Sequence, residues 1–393
     1  KNYRKMAEEK PKNVESVDTM KSEVLGKIKN AISQLKSKEN KIFFFCMDSK
    51  GRAMGSIATI YEHAKILKEL GYNVIILTEK NDYTKPGSWL GLEYDELSHQ
   101  SSESEGTIIS PQDFIILPEV YGGILEQLKT ANCEKIIFTQ AYDYIFELMK
   151  PGETWGQWGV RKCITTTKSQ MDYVKTLFPN IDTSVINLGI PEYFNNSKTP
   201  RKPFIAIHTR DSRDTANFIK SFYIKHPFLK WITFRDMRGL TRKEFAESLK
   251  ESALSVWIDK TAGCGTFPLE SMKCGTPVIG VLPTLPAEWL NEKNGIWTQN
   301  QITLVDTVAG VMKSWLEDSI PEDLHKEMEK TVKEYTPERE AQQVADFYEE
   351  FFQERIDELT LAMTQEGERS PMVEPKFSGY DDSIRKTKQN KTK

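Results

Sequence analysis

The stretch Asp259–Gly280, DKTAGCGTFPLESMKCGTPVIG, decides the fold prediction for this chain of 393 residues. Its glycine-rich turn leads into a helix that we expect to start near Thr266–Pro268 and to stop at Gly275, before the apolar strand Pro277–Val281. Glycines before a helix let backbone amides approach an anion closely, and the helix dipole favours negative charge there. The stretch therefore predicts a loop, helix and strand with a diphosphate site where the helix begins.

Apolar strands and helices alternate on both sides of this stretch, in two series. In the first series, strands are predicted at Ile42–Cys46, Val74–Leu77, Phe114–Leu117, Lys135–Thr139, Cys163–Thr166 and Ser184–Ile186. In the second, they are predicted at Phe204–His208, Trp231–Phe234, Leu254–Ile258, Pro277–Val281 and Gly295–Trp297. Continuous apolar strands indicate parallel sheets covered on both faces. The predicted fold class is α/β, with two Rossmann-like domains facing each other across a cleft.

Composition shifts divide the chain into segments. We expect a helical leader at 1–40, a first Rossmann-like domain at 41–190, a second at 191–320, C-terminal helices at 321–363 and a polar tail at 364–393. The aperiodic stretch Gly189–Pro203 is the predicted hinge between the two domains. The polar residues 80–110 are predicted to form a long mobile loop.

Composition also excludes several classes of function. The net charge of −4 does not favour a nucleic-acid partner. The five cysteines show neither a CxxC pair nor a zinc-binding spacing, so we expect free thiols and no bound metal. No GxGxxG or P-loop follows a strand, which argues against a dehydrogenase or a P-loop enzyme. Without a signal-peptide core or a run of ~20 apolar residues, the expected location is cytoplasmic.

Within the deciding stretch, GCGTFPLESMKCGTPVIG resembles the C-terminal-domain signature of retaining GT-B glycosyltransferases, especially family four, also called glycosyltransferases group 1. That signature is close to E-G-F-G-x-x-x-x-E-A-M-A-x-G-x-P-V-I. The matching positions are Gly263, Gly265, Pro268, Glu270, Met272, Gly275, Pro277, Val278 and Ile279. The resemblance spans about 41–360 and implies metal-independent transfer from a UDP-, GDP- or ADP-sugar, with no other cofactor. It also implies that the first domain binds the acceptor, the second the donor, and the C-terminal helices cross back to the first.

The resemblance assigns donor-binding roles to residues near the signature. Glu270 is expected to bind the ribose hydroxyls, and Gly265, Thr266 and Phe267 to present backbone amides to the diphosphate. A glycine turn entering a packed helix, with Glu270 merely favourable to the helix dipole, is the structural alternative.

Further donor contacts are predicted after the first two strands of the second domain. His208, Arg210 and Arg213 are candidates for the diphosphate, because arginine stays charged and forks two donors onto oxygens. Arg210 would stabilise charge on the leaving group as a cation does. Surface ion pairs with neighbouring aspartates are the alternative. Phe234 and Arg235 are candidates for base recognition, with an ordinary polar loop as the alternative.

In the first domain, Gly55 matches the position of a glycine loop that approaches the donor phosphate or the acceptor. The segment Thr139–Tyr144 takes the place where many family members carry a histidine. Here Gln140 and Tyr142 are acceptor candidates, and Asp143 is a catalytic candidate without support as a general base.

Two departures from the family leave other functions open. Ala262 stands where the family usually has a first glutamate that contacts the sugar, and Asp259 is a possible substitute. A catalytically weakened binding protein with this fold is therefore one alternative. Another is a phage-type transferase acting on modified DNA bases, suggested by TQAYDY and by the basic tail RKTKQNKTK, a candidate contact for an anionic partner. The acceptor, whether glycan, lipid, protein or modified DNA, is open.

Overall fold

The computed structural model describes residues 14–121, 125, 128–147, 149–197 and 199–368. They form two compact units, one of residues 34–353 and one of residues 14–33 together with 354–368. The smaller unit consists of the first part of helix α1 (Val14–Lys36) and the last part of helix α9 (Pro337–Glu368). The predicted residues 1–13 of the leader and 369–393 of the tail, including its basic end, lie outside the described residues.

The first sheet of the larger unit has seven parallel strands in the order β3-β2-β1-β4-β5-β6-β7. They are β1 (Lys41–Phe45), β2 (Asn73–Thr78), β3 (Ser98–Ser101), β4 (Phe114–Pro118), β5 (Glu134–Thr139), β6 (Val160–Thr165) and β7 (Asp182–Val185). In the interior strand β1, Phe44 lies opposite both Ile76 and Ile116 and is fully buried. Helices α2 (Gly55–Glu69) and α3 (Lys168–Leu177) follow β1 and β6.

The second sheet has five parallel strands in the order β12-β11-β10-β8-β9. They are β8 (Lys202–Thr209), β9 (Thr233–Asp236), β10 (Ser252–Ile258), β11 (Val278–Val281) and β12 (Ile296–Thr298). Its helices are α4 (Ser212–Lys225), α5 (Arg242–Glu251), α6 (Thr266–Lys273), α7 (Gln301–Leu316) and α8 (Glu322–Val332). Each predicted strand overlaps an observed one, and the α/β class with two parallel sheets is confirmed.

The prediction of a long loop at 80–110 is wrong in one respect. The segment contains the edge strand β3 and two short 3₁₀ helices at Pro86–Ser88 and Leu92–Glu96. Trp89 and Leu97 are buried beside them. Strand β3 has the sequence SHQS, which has no apolar periodicity. It pairs with β2 through its backbone, and His99 contacts Tyr61 and Tyr83.

Residues 340–352 of α9 pack against the first sheet. Phe352 stacks on Phe114 of β4 with ring centroids 4.7 Å apart, and Phe351 meets the same ring edge-on. Glu340 accepts a hydrogen bond at 2.8 Å from the backbone N–H of Gly189, the first residue of the predicted hinge. Across the described ranges, no helix combines the length and the apolar character needed to cross a bilayer.

Candidate functional site

A cleft of about 520 Å³ opens at the carboxyl ends of both sheets. Residues that follow strands of the first sheet line one wall, among them Met47, Glu119 and Gln140. Residues that end or follow strands of the second sheet line the other wall, among them Arg210 and Asp259. Open parallel sheets bind ligands at this edge, so the cleft is the candidate site.

The N-terminus of α6 opens onto this cleft. Gly265 caps the helix with a φ of 72°, and an added Cβ would lie 3.0 Å from Trp289, so the position requires glycine. Gly265, Thr266 and Phe267 all line the cleft, and within the described residues no side-chain cap accepts hydrogen bonds from the first amides of the helix. An anion in the cleft can therefore take these hydrogen bonds.

The N-terminus of α2 opens onto the same cleft from the opposite wall. Its first residue, Gly55, lines the cleft beside Met54 and Ser56. Met54 provides no side-chain cap, and a Cβ added at Gly55 would meet nothing within 4 Å. Two helix N-termini, each carrying a partial positive charge, thus border one cavity.

Arg210 is the predicted cation that the structure brings to the cleft. Its Nη1 donates to Asp143 Oδ2 at 2.6 Å, and its Nη2 donates to the Thr261 carbonyl at 3.2 Å. Its Nε lies 3.6 Å from Asp259 Oδ2. Burial alone would lower the pKa of Arg210, but the Asp259 and Asp143 carboxylates outweigh it and raise this pKa, so the side chain stays charged.

Arg238 is a second cation on the cleft that the sequence analysis missed. Its Nε donates to both carboxylate oxygens of Asp236, at 3.0 and 3.1 Å. It follows β9 as Arg210 follows β8, and this shared position after neighbouring parallel strands is the signal that would have found it.

His208 lines the cleft but does not provide charge. Burial lowers its pKa to about 4, so the imidazole is neutral at pH 7. Its Nδ1 has no hydrogen-bond partner among the described residues, and its ring lies 5.2 Å from that of Phe267. Its role at the cleft is therefore one of shape or of neutral hydrogen bonding.

Glu270 does not line the cleft. Its side chain is 3% exposed, and its Oε1 accepts a hydrogen bond from Arg242 Nη2 at 2.8 Å. Burial alone would lower the pKa of Arg242. The charges of Glu270, Tyr193 and Glu62 together outweigh burial, so the pKa of Arg242 is raised and its side chain stays charged. The predicted ribose-binding carboxylate is thus engaged in a buried ion pair.

Three other predicted donor contacts lie away from the cleft. The Arg213 side chain is 85% exposed and pairs with Asp211, the surface alternative stated above. Phe234 packs against Phe222 at 5.0 Å, and Arg235 donates to Ser248 Oγ at 2.8 Å. Because Phe234 and Arg235 lie within β9, alternation directs their side chains to the faces of the sheet instead of beyond its end.

Of the acceptor candidates in the first half, one lines the cleft and one lies away from it. Gln140 lines the cleft, and its Nε2 donates to the Ser56 carbonyl at 3.1 Å. Tyr142 does not line it but packs edge-on against Tyr173 at 5.4 Å, so its prediction is not supported by its position. Asp143 reaches the cleft wall through Arg210.

Glu119 is a buried carboxylate on the cleft that the sequence analysis missed. It accepts hydrogen bonds from the backbone N–H groups of Gln140 at 3.1 Å and Ala141 at 2.8 Å. Burial raises its pKa to about 7, against the opposing effect of these hydrogen bonds. A polar residue directly after the buried strand β4 was the available signal.

The departures from the family pattern lie on the cleft itself. Ala262 is buried and lines it, so an apolar methyl group stands where the resemblance expects a carboxylate. Beside it, a Cβ added at Gly263 would lie only 1.8 Å from the Gln140 carbonyl oxygen. The loop before α6 therefore touches the loop after β5 directly.

Comparison with known proteins supports the same architecture. No protein-family model matches the chain. It is 25% identical over 248 residues to an α-1,6-glucosyltransferase of Actinobacillus pleuropneumoniae serotype 7 (strain AP76), a match covering 60% of this chain and 71% of the relative.

Comparison with solved structures shows which fold the chain has. Sucrose-phosphate synthase from Thermosynechococcus elongatus matches with a TM-score of 0.56 and 14% identity, over 80% of this chain and 99% of that one. The pneumococcal O-GlcNAc transferase GtfA, in complex with UDP and GlcNAc, matches with a TM-score of 0.57 and 10% identity, over 79% and 99%. The predicted resemblance is confirmed: the chain has the fold of the GT-B glycosyltransferases.

Proposed function

We propose that this chain is a glycosyltransferase that moves a sugar from a nucleoside-diphosphate sugar to an acceptor hydroxyl. The observation that carries the proposal is the N-terminus of α6, which lacks a side-chain cap and lines the same cleft as Arg210 at the carboxyl ends of both sheets. A similar protein is an α-1,6-glucosyltransferase, and a similar structure contains UDP. UDP is therefore the first donor nucleotide to test.

The chemistry follows from charge on the leaving group. When the bond from the sugar to the diphosphate breaks, negative charge develops on the departing phosphate oxygens. The first amides of α6 and the guanidinium of Arg210 are preorganised donors for that charge, and Arg238 adds a second cation on the same wall. These groups suit a metal-independent reaction, as the resemblance implies. Retention at the anomeric carbon stays a prediction from the resemblance.

Under this proposal, the ribose role of Glu270 stays a prediction from the resemblance. In the structure its carboxylate lies off the cleft, and its Oε1 pairs with Arg242. Replacing Glu270 would break a buried ion pair, a change that typically costs about 3–5 kcal/mol of stability. The ribose contact is therefore better tested by changing the ligand. We expect 2′-deoxy-UDP or 3′-deoxy-UDP to bind the unaltered protein more weakly than UDP.

The proposal is tested by thermal shift with UDP, GDP, ADP and CDP. A ligand that binds only the folded state raises its Tm, so at least one nucleotide should do so. Arg210→Met should reduce this shift strongly, because it removes a cation from the cleft wall. Arg213→Met is the matched control, since Arg213 is exposed away from the cleft, and it should keep the full shift. Equal shifts in the two variants would contradict the assigned diphosphate site.

A binding protein that kept the fold and lost turnover is the second candidate. Ala262 favours it, because the wall near the expected sugar lacks the usual carboxylate. Asp259 is the proposed substitute, since its carboxylate lies on the same wall and 3.6 Å from Arg210. Incubation with the nucleotide sugar separates the two functions: released nucleoside diphosphate supports a transferase, and binding without release supports the binding protein.

The acceptor and the location are the open parts of the proposal. Gln140 is the acceptor candidate that the cleft retains, and its wall also carries Glu119. The buried carboxyl group of Glu119 on this wall fits a neutral hydroxyl better than a polyanion such as DNA. The free, buried cysteines suit the reducing cytoplasm.

A further inference from the structure

Arg210 is held from both sides of the cleft. Asp259 and Thr261 belong to the loop between β10 and α6, in the same half of the larger unit as Arg210. Asp143 belongs to the loop after β5, in the other half, and it makes the shortest of these contacts at 2.6 Å. The ion pair between Arg210 and Asp143 therefore joins the two walls of the cleft.

The ion pair engages Arg210, which is also a ligand of the proposed donor diphosphate. Arg210 lines the cleft together with the first residues of α6, where the proposed diphosphate would lie. A diphosphate and the Asp143 carboxylate are both anions that would bind the outer edge of the Arg210 guanidinium. They would repel each other if both were bound at that edge.

The contact can be broken at modest cost. The side chains of Arg210 and Asp143 are 35% and 28% exposed, so water can solvate both when they separate. Ion pairs that are partly exposed typically change an equilibrium constant by no more than about fivefold. Asp259, with an exposed fraction of 15%, and the Thr261 carbonyl would continue to hold Arg210 after Asp143 leaves.

We propose that Asp143 is a placeholder for the donor diphosphate on Arg210, so that donor binding displaces it and breaks an ion pair between the two walls. This inference rests on the proposed function. It makes Asp143 a positioning residue that weakens donor binding, in contrast to the catalytic role predicted for it from the sequence. The Tyr144 ring, 5.2 Å from the guanidinium carbon, helps to keep Arg210 in place for the exchange.

The test compares nucleotide affinity in Asp143→Asn and in the unaltered chain by calorimetry. We expect Asp143→Asn to bind UDP up to about fivefold more tightly, because a competing charge is removed. Its affinity for uridine, which has no phosphate, should not change. Asp211→Asn is the matched control: Asp211 also pairs with an arginine, but at the surface, and asparagine can keep its N-cap of α4. This control should bind UDP as the unaltered chain does.

Several outcomes would overturn the inference. Unchanged or weaker UDP binding by Asp143→Asn would show that Asp143 does not compete with the diphosphate. An equal gain for uridine would show a general effect on the cleft. Asp143→Ser, whose side chain cannot contact Arg210 as Asp143 does, should also bind UDP more tightly. A second variant with the same effect keeps the test valid if one of the two misfolds. If the unaltered chain binds none of UDP, GDP, ADP and CDP, the proposed function fails, and this inference fails with it.

Discussion

Glu340 shows how strongly burial acts on a single carboxyl group in this chain. Its Oε2 accepts from the Gly189 N–H, while its Oε1 has no partner among the described residues. Burial, and then the negative charge of Glu62, raise its pKa to about 8. Glu340 therefore takes up a proton on folding at any pH between its ordinary pKa and about 8.

This uptake predicts how stability depends on pH. Between about pH 4.5 and 8 the folded state binds more protons at Glu340 than the unfolded state, so the free energy of unfolding falls as the pH rises. Glu340→Gln keeps an acceptor for the Gly189 N–H without a charge. Relative to the unaltered chain, we expect the variant to gain about 3 kcal/mol between pH 5 and 8 in urea unfolding.

The matched control for this prediction is Glu338→Gln, an exposed glutamate in the same first turn of α9. Its unfolding free energy should follow the pH dependence of the unaltered chain. If Glu340→Gln also follows that dependence, the carboxyl group of Glu340 is charged at neutral pH in the folded state, and the burial argument is wrong.

Side chains at the site illustrate which residues the sequence can and cannot identify. Arg210 could be found because it follows a predicted strand and has the chemistry of a phosphate ligand. The Glu270 prediction came from a signature, but its partner Arg242 belongs to a different helix, and nothing in the local pattern announces the ion pair. Glu119 was missed because its significance depends on the loop after β5 folding over it.

At the scale of elements, two glycines that line the cleft have different structural roles. A Cβ at Gly263 would lie 1.8 Å from the Gln140 carbonyl and 2.5 Å from Gln170 Nε2, so alanine there must push two loops apart. At Gly55, the first residue of α2, a Cβ would meet nothing within 4 Å. The first glycine is needed for close contact of protein segments, whereas the second leaves space for a ligand.

This contrast gives a prediction for stability and binding. Gly263→Ala should lower the free energy of unfolding by about 1–3 kcal/mol, the usual cost of overpacking. Gly55→Ala should change it by no more than about 0.5 kcal/mol, yet weaken UDP binding if the donor approaches α2. Urea unfolding and calorimetry of both variants check this, and equal loss of stability in the two would contradict the described loop contact.

Elements also show where sequence patterns stop being informative. The apolar runs of β1 and β10 are buried along nearly their whole length, and such strands are predictable because both faces of the sheet are covered. Strand β3 carries no such run and depends on backbone pairing with β2, so its sequence could not distinguish it from a loop.

For the whole molecule, the doubled series of strands and helices predicted two parallel sheets with their carboxyl ends at a common cleft, and the structure has both. The cross-over of the C-terminal helices was implied by the resemblance alone. In the structure, stacking of Phe352 on Phe114 accounts for the contact of α9 with the first sheet. Long-range contacts of this kind depend on the complete fold, and a local pattern predicts only an apolar stripe.

The position of a bound nucleotide tests the central claim most directly. In a crystal structure of the chain with UDP, we predict phosphate oxygens within about 3.2 Å of the backbone nitrogens at the start of α6, and Arg210 turned from Asp143 to the diphosphate. UDP bound elsewhere, with the Arg210–Asp143 ion pair intact, would contradict the account.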